Sequence, residues 1–181
     1  MTHDPARFLD EEAAKVLVEV ASVRGSAPRE EGAFMLVSAD AIAGTIGGGQ
    51  LEYMAIDHAR RILSGKASDV ALSVPLGPEI GQCCGGRVEI AFRPVDDALR
   101  AELAERLKRE TERQPAVHVF GAGHVGHAIA AALSLLPLNV TMVESRAHEL
   151  AGLPGNVTAR VAAMPESVVA SIPAGSAVLI L

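Results

Sequence analysis

The sequence predicts an α/β protein in two parts: a small N-terminal α+β domain, residues 1–114, and a Rossmann-like parallel α/β domain, residues 115–181. Two observations predict this. Short β-branched segments alternate with glycine loops in the first part, whereas a buried strand, a G-x-G-x-x-G loop and an alanine-rich helix follow one another in the second. The charged stretch 108–114, closed by Pro115, separates them because hydrophobicity rises abruptly after it.

The first domain is predicted to contain five strands and two helices. The strand segments are rich in β-branched residues, which fit a pleated, half-buried surface. The helical segments space their apolar residues three and four positions apart, which is typical of an amphipathic helix. The predicted strands are residues 15–23, 33–38, 41–46, 70–74 and 87–92, and the helices are residues 50–63 and 96–111.

The second domain begins with a segment that we expect to be a fully buried parallel strand. Its predicted strands are residues 116–120, 140–143, 157–161 and 177–181, with helices from the glycine loop to about residue 136 and over residues 166–172. A parallel sheet needs both faces covered. We therefore expect this domain to be truncated after its fourth strand, or to be completed by another chain.

Composition excludes several classes of function. The chain has a net charge of −6 and only 3% aromatic residues, whereas a nucleic-acid-binding protein needs a basic surface and stacking side chains. An anionic membrane surface is an unsuitable partner for the same reason. No apolar run approaches the ~18 residues of a membrane span. Together with two cysteines that we expect to be unbridged, these features predict a cytoplasmic protein.

The two cysteines of the chain, Cys83 and Cys84, are adjacent in a glycine-rich hexapeptide. Neighbouring Cα atoms lie ~3.8 Å apart, less than the ~4.4 Å usual for a disulfide, so a structural disulfide is not expected. The flanking glycines, Gly81, Gly85 and Gly86, allow close approach to a ligand. The loop predicts a thiol site for a soft metal centre, with a glycine turn carrying two small hydrophobic residues as the alternative.

Three loops rich in glycine or polar residues interrupt the first domain, and we expect them to converge on one pocket: residues 24–32, 44–52 and 81–86. Gly48 and Gly49 precede a helix and can offer N–H groups to an anion. Arg29 can bind a phosphate through its guanidinium fork. Glu52 lies in the first helical turn, where the competing interpretation is N-terminal capping.

A dinucleotide-binding fingerprint opens the second domain. Gly121 permits the tight turn, Gly123 the close passage of a pyrophosphate, and Gly126 the contact between helix and strand. Glu144, at the end of the next strand, would hold a ribose. Arg146 is close enough in sequence to contact a 2′-phosphate instead, so the choice between NAD and NADP stays open.

Four of these motifs, taken in order, resemble the signatures of the xanthine dehydrogenase accessory protein (XdhC/CoxI) family: residues 25–33, 44–52, 81–86 and 120–126. The resemblance implies a cytoplasmic carrier, rather than an enzyme, that holds the molybdenum cofactor (molybdopterin) during its sulfuration. It also implies insertion of the cofactor into a molybdenum hydroxylase such as xanthine dehydrogenase, a sulfurtransferase or cysteine desulfurase as partner, and a homodimer.

Carried over to this sequence, the resemblance makes Cys83 or Cys84 the molybdenum contact. The remaining candidate cofactor contacts are Gln82, Gly85, Arg29, Gly47, Gly48, Gly49 and Glu52 in the first domain, and Gly121, Gly123, His124, Gly126 and Glu144 in the second. Two alternatives stay open. One is an NAD(P)-dependent oxidoreductase that uses the fingerprint, and the other is a thiol redox or sulfur-transfer protein that uses the cysteine pair.

Overall fold

The computed structural model describes residues 4–81 and 83–181. The chain forms two compact units, the first ending at Leu107 and the second running from Lys108 to Leu181. The first unit holds an antiparallel sheet and the second a parallel sheet. The predicted α/β fold class is therefore confirmed.

The first unit is built on a five-stranded antiparallel sheet with the strand order β3-β2-β1-β5-β4. Its strands are β1 (Val16–Arg24), β2 (Phe34–Val37), β3 (Ile42–Gly44), β4 (Ala71–Pro75) and β5 (Arg87–Pro94). Its helices are α1 (Pro5–Asp10), α2 (Gly49–Leu63) and α3 (Asp97–Glu112), the last of which continues into the second unit. All five predicted strands are confirmed to within a few residues.

Side chains alternate between the two faces of this sheet, and each face packs against helices. Val16, Val18 and Val20 of β1 share one core with Leu51 and Ala55 of α2. The intervening Leu17 joins a second core on the opposite face, together with buried residues of α1 and α3: Phe8, Leu9, Leu99 and Leu103. The sheet is thus covered by helices on both faces.

Helix α1 was not among the elements predicted from the sequence. Its N-cap is Asp4, whose carboxylate accepts the Ala6 N–H at 2.9 Å, and Pro5 occupies the first helical position, where a missing N–H costs nothing. Phe8 and Leu9 are the residues that this six-residue helix buries. Its stability comes from those two side chains in the core, because a single turn is marginal in water.

A register shift interrupts the pairing of β1 with β5. Val20 lies opposite Ile90, but Ser22 lies opposite Glu89, so β1 advances two residues while β5 advances one. Ala21 is the extra residue of this β-bulge. The bulge lies just before the loop that follows β1.

The second unit contains a four-stranded parallel sheet with the strand order β8-β7-β6-β9. Its strands are β6 (Ala116–Phe120), β7 (Asn139–Glu144), β8 (Val157–Val161) and β9 (Ala177–Ile180). Helix α4 (His124–Leu133) follows β6, and short 3-10 helices span Ala147–Leu150 and Pro165–Ser171. This is the order 3-2-1-4 of a Rossmann sheet. The predicted helix over residues 166–172 is a 3-10 helix.

The two faces of the parallel sheet have separate cores. Val119 and Met142 pack with Ala130 of α4 on one face. Phe120 and Val143 pack with Val168, from the second 3-10 helix, on the other. Among the described residues, no helix has the length and apolar character needed to cross a membrane.

Candidate functional site

The cysteine loop forms the tip of the hairpin that joins β4 to β5. Two backbone hydrogen bonds of 2.8 Å close it, from the Leu76 N–H to Gly86 and from the Gly85 N–H to Leu76. A 3-10 helix, Pro78–Ile80, begins the tip, and Gly81 leaves it with a φ of 64°. Gly85 also has a positive φ, 71°. Two residues of the hairpin tip, Gly81 and Gly85, therefore have the left-handed backbone conformation that favours glycine.

The two cysteines occupy different environments. Cys83 is exposed, whereas Cys84 is partly buried and packs against the core beneath α2. Neither forms a disulfide. Cys83 borders a cavity of about 520 Å³, whose lining consists of Leu76, Gly77, Pro78, Gly81, Cys83 and Gly85. Gln82, also predicted as a cofactor contact, lies outside the described residues.

The loop after β1 lies directly against the base of the cysteine loop. A methyl group placed on Gly86 would lie 2.1 Å from the Ser26 carbonyl oxygen and 2.8 Å from that of Arg24. A methyl group on Gly25, whose φ is 77°, would lie 3.2 Å from the Gly86 Cα atom. The two backbones can approach this closely only because neither glycine has a side chain.

The same loop also contacts the glycine run before α2. A methyl group on Gly47 would lie 2.7 Å from Pro28 Cγ and 3.4 Å from Arg29 Cγ. The loop at residues 24–32 therefore touches both of the other predicted loops. Of the predicted residues, however, the cavity lining includes Cys83 and Gly85 and does not include Arg29 or Gly47–Gly49.

Glu52 organises the glycine run from the first turn of α2. Its Oε2 atom accepts hydrogen bonds from the Thr45 hydroxyl at 2.6 Å and from the Ile46 and Gly48 N–H groups at 3.1 Å each. The Gly48 N–H is therefore directed to Glu52. The N-terminus of α2, which begins at Gly49, has no side-chain cap. The hydrogen bond from Thr45 to Glu52 was not predicted from the sequence, in which the position of Thr45 just before the glycines is the one indication of it.

The fingerprint of the second unit forms a tight turn between β6 and α4. Gly121 has a φ of 110°, and a methyl group on Gly126 would lie 2.0 Å from the Gly121 carbonyl oxygen. A methyl group on Gly123 would meet no atom within 4 Å, and α4 has no side-chain cap at that residue. A cavity of about 460 Å³ lies here, lined by Gly121, Gly123, His124, Val125, Gly126, Arg146 and Leu181.

Glu144 is buried at the end of β7, and donors from its own surroundings bind its carboxylate. Oε2 accepts the Ala122 N–H at 3.0 Å and an Nη2–H of Arg146 at 3.1 Å. Oε1 accepts the N–H and hydroxyl of Ser145 and the backbone N–H and Nε–H of Arg146. The Arg146 guanidinium, followed by the backbone N–H of Ala122, holds the pKa of Glu144 far below its ordinary value.

This arrangement differs from the predicted ribose contact. A ribose diol needs two vacant acceptor positions on Glu144, and the donors just described fill them. The residues present therefore do not fit an NAD ribose in this conformation.

The histidines of the second unit have separate surroundings. His124 is exposed at the start of α4, and His127 Nε2 lies 2.7 Å from the Glu149 carbonyl oxygen. His118 is buried on β6, and its Nδ1 atom has no hydrogen-bond partner within the described part of the chain. Burial, aided by the charge of Arg160, lowers the pKa of His118. Across residues 4–81 and 83–181, no three His, Cys, Asp or Glu side chains form a metal-binding group.

The sequence matches a known family model over part of its length. Residues 8–73 match the model of the XdhC and CoxI family, which confirms the predicted resemblance over that segment. The chain is 27% identical over 145 residues to YqeB of Escherichia coli (strain K12), an uncharacterized protein. That alignment covers 78% of this chain and 24% of YqeB, so the chain spans about a quarter of the length of this relative.

A solved structure shares the fold. It is a crystal structure from Bacillus halodurans described as a xanthine dehydrogenase, and it matches with a TM-score of 0.76 at 16% sequence identity. The match covers 97% of this chain and 72% of the other. At this identity the likeness shows a common fold.

Proposed function

We propose that the protein is an accessory factor in the maturation of a molybdenum hydroxylase such as xanthine dehydrogenase, on the basis of the match of residues 8–73 to the XdhC and CoxI family model. It binds the molybdenum cofactor in the first unit, holds it while it is sulfurated, and releases it to the client enzyme. The observation that supports this most is the exposed thiol of Cys83, on a hairpin tip held against a neighbouring glycine loop.

Cys83 is the thiol we assign to the cofactor. It is exposed and borders the cavity, whereas the Cys84 side chain packs against the core and anchors the loop. The donor set fits the cofactor, because the molybdenum already carries the dithiolene sulfurs of its pterin and the cavity lining offers one thiol as a further ligand. A soft metal favours a thiolate for that position.

The cofactor's anionic part would be bound by Arg29, on the adjoining loop. Arg29 is exposed, and its side-chain stem lies against Gly47. The start of α2 does not serve the same purpose, because the Glu52 carboxylate already accepts the Gly48 N–H there. A guanidinium binds phosphate through its fork of N–H donors. Arg29 therefore complements Cys83, because it orients the cofactor without binding its metal.

Attachment through one thiol on an exposed loop suits a carrier. A single protein ligand can be displaced by a client enzyme that offers more contacts, and the exposed tip leaves the metal accessible to a partner. A sulfurtransferase or cysteine desulfurase is the partner that a sulfuration step requires. The cofactor itself supplies the redox-active molybdenum, and the chain supplies the binding and the release.

Molybdenum retention tests this proposal. The purified chain is incubated anaerobically with molybdenum cofactor released from a molybdenum hydroxylase, desalted, and analysed for metal by mass spectrometry. We expect wild type to retain molybdenum, Cys83→Ser to lose most of it, and Cys84→Ser, the matched control, to keep most of it. Full retention by the Cys83→Ser/Cys84→Ser double variant would reject the thiol assignment, and no retention by wild type would reject the carrier function.

A further inference from the structure

The second unit holds a buried carboxylate at the position where a dinucleotide would present its ribose. Glu144 ends β7 beside the fingerprint loop, and its carboxylate accepts six hydrogen bonds. A carboxylate offers about four lone-pair positions. Every acceptor position is therefore taken before a ligand arrives.

The six donors differ in how easily they can leave. Three are backbone N–H groups, of Ala122, Ser145 and Arg146, and one is the Ser145 hydroxyl. These four are fixed by the turn after β7 and by the fingerprint loop. The other two come from the Arg146 guanidinium, on a side chain that is 56% exposed. Arg146 is thus the donor that a ligand would have to displace.

We propose that Arg146 closes the ribose position of this unit against dinucleotides with a free 2′-hydroxyl group, such as NAD(H). Its Nε–H and Nη2–H groups occupy the two Glu144 oxygens in place of the two ribose hydroxyls. A second ion pair, from Nη1 to Glu149 Oε1 at 3.3 Å, holds the guanidinium from the other side. This inference concerns the second unit and is independent of the cofactor site proposed for the first.

The remainder of the fingerprint is compatible with a dinucleotide. The space around Gly123 is open, the first turn of α4 has no side-chain cap, and the cavity beside the loop is about 460 Å³. The obstruction is therefore confined to Glu144 and its guanidinium partner. Removing the guanidinium leaves Oε2 with the Ala122 N–H as its described donor, so it should vacate an acceptor position on a carboxylate that the backbone still holds in place.

Titration of the full chain with NADH tests the proposal. The chain contains no tryptophan, so nicotinamide emission can be followed with little protein background. We expect NADH to bind Arg146→Ala at least about tenfold more tightly than wild type, because each hydrogen bond to a charged group is worth about that factor. Arg146→Gln removes the guanidinium fork with a smaller loss of side-chain volume than alanine, and it decides the matter if Arg146→Ala does not fold.

Two controls separate this gain from a general effect. Arg160→Ala removes one positive charge from the same unit, where Arg160 donates to Ser171 and not to Glu144, and it should bind NADH like wild type. The Glu144→Gln/Arg146→Ala double variant should lose the increase in NADH affinity that Arg146→Ala produces. Equal NADH affinity in wild type and a folded Arg146 variant, or a gain that survives Glu144→Gln, would overturn the proposal.

Discussion

The Ser26 carbonyl oxygen lies so close to Gly86 that a methyl group on Gly86 would come within 2.1 Å of it. We expect Gly86→Ala to force the cysteine loop away from the loop after β1 and to lower the free energy of unfolding by about 2–3 kcal/mol, as overpacking does. Urea unfolding gives the stability. Molybdenum retention should fall in the same variant, because the base of the loop moves.

Gly77→Ala is the matched control for that change. Gly77 lies in the same hairpin tip with a φ of −114°, and a methyl group there would meet no atom of the described residues within 4 Å. The free energy of unfolding of Gly77→Ala should stay within about 0.5 kcal/mol of that of wild type. Equal stability of the two variants would show that the close approach of Ser26 and Gly86 does not hold the loop.

Glu52→Ala should loosen the glycine run. The substitution removes the acceptor of the Thr45 hydroxyl and of the Ile46 and Gly48 N–H groups, which should cost about 2 kcal/mol. Hydrogen exchange should quicken at Ile46 and Gly48. Asp57→Ala, an exposed position on the same helix, is the control and should leave both measurements nearly unchanged. Unaltered exchange in Glu52→Ala would contradict this role.

Gly126→Ala should separate α4 from β6. Its methyl group would lie 2.0 Å from the Gly121 carbonyl oxygen. We therefore expect the free energy of unfolding to fall by about 3 kcal/mol. Gly123→Ala places a methyl group in open space at an N-cap and should cost less than about 1 kcal/mol. Thermal unfolding compares the two. A loss for Gly123→Ala as large as that for Gly126→Ala would rule out this account.

His118 should make the second unit less stable in mild acid. Burial lowers its pKa below the ordinary 6.5, so as pH falls through 6.5 the unfolded chain takes up a proton that the folded chain does not. Stability is therefore present above pH 6.5 and declines below it, with a slope of at most about 1.4 kcal/mol per pH unit.

Urea unfolding between pH 7.5 and pH 5.5 measures that slope. His118→Gln should flatten it, and Arg160→Ala should flatten it in part, because the Arg160 charge adds to the lowering of the His118 pKa. An unchanged slope in His118→Gln would assign the acid sensitivity to other groups.

Much of the fold could be predicted because its signals are local. The β-branched residues of segment 15–23 predict a strand, and the succession of strand, glycine loop and helix after Pro115 predicts a Rossmann-like unit. Helix α1 had local signals too, in Asp4 and Pro5, but its single turn gives no period to detect. Residues 165–171 form a 3-10 helix of about two turns that packs against the core through Val168.

The candidate site was predictable to a smaller extent. The contact between Gly126 and Gly121 follows from the fingerprint spacing. Whether Glu144 accepts hydrogen bonds from a ribose or from Arg146 does not follow from the sequence, because both are hydrogen-bond donors and the direction of the Arg146 side chain is set by the fold. The different surroundings of Cys83 and Cys84 depend on the direction of the hairpin tip, which two positive-φ glycines set.

The extra residue in β1 sets how far the loop after β1, residues 24–32, extends from the sheet. Ala21 has no partner of its own in the pairing with β5, so its presence moves Arg24 to Ser26 one residue further along the sheet than regular pairing would. Deleting that one residue would restore an even ladder and withdraw the loop by about 3.3 Å. We therefore expect the position of the Gly25 turn to depend on the number of residues between Val20 and Gly25, although the residue that provides the extra length is an ordinary alanine.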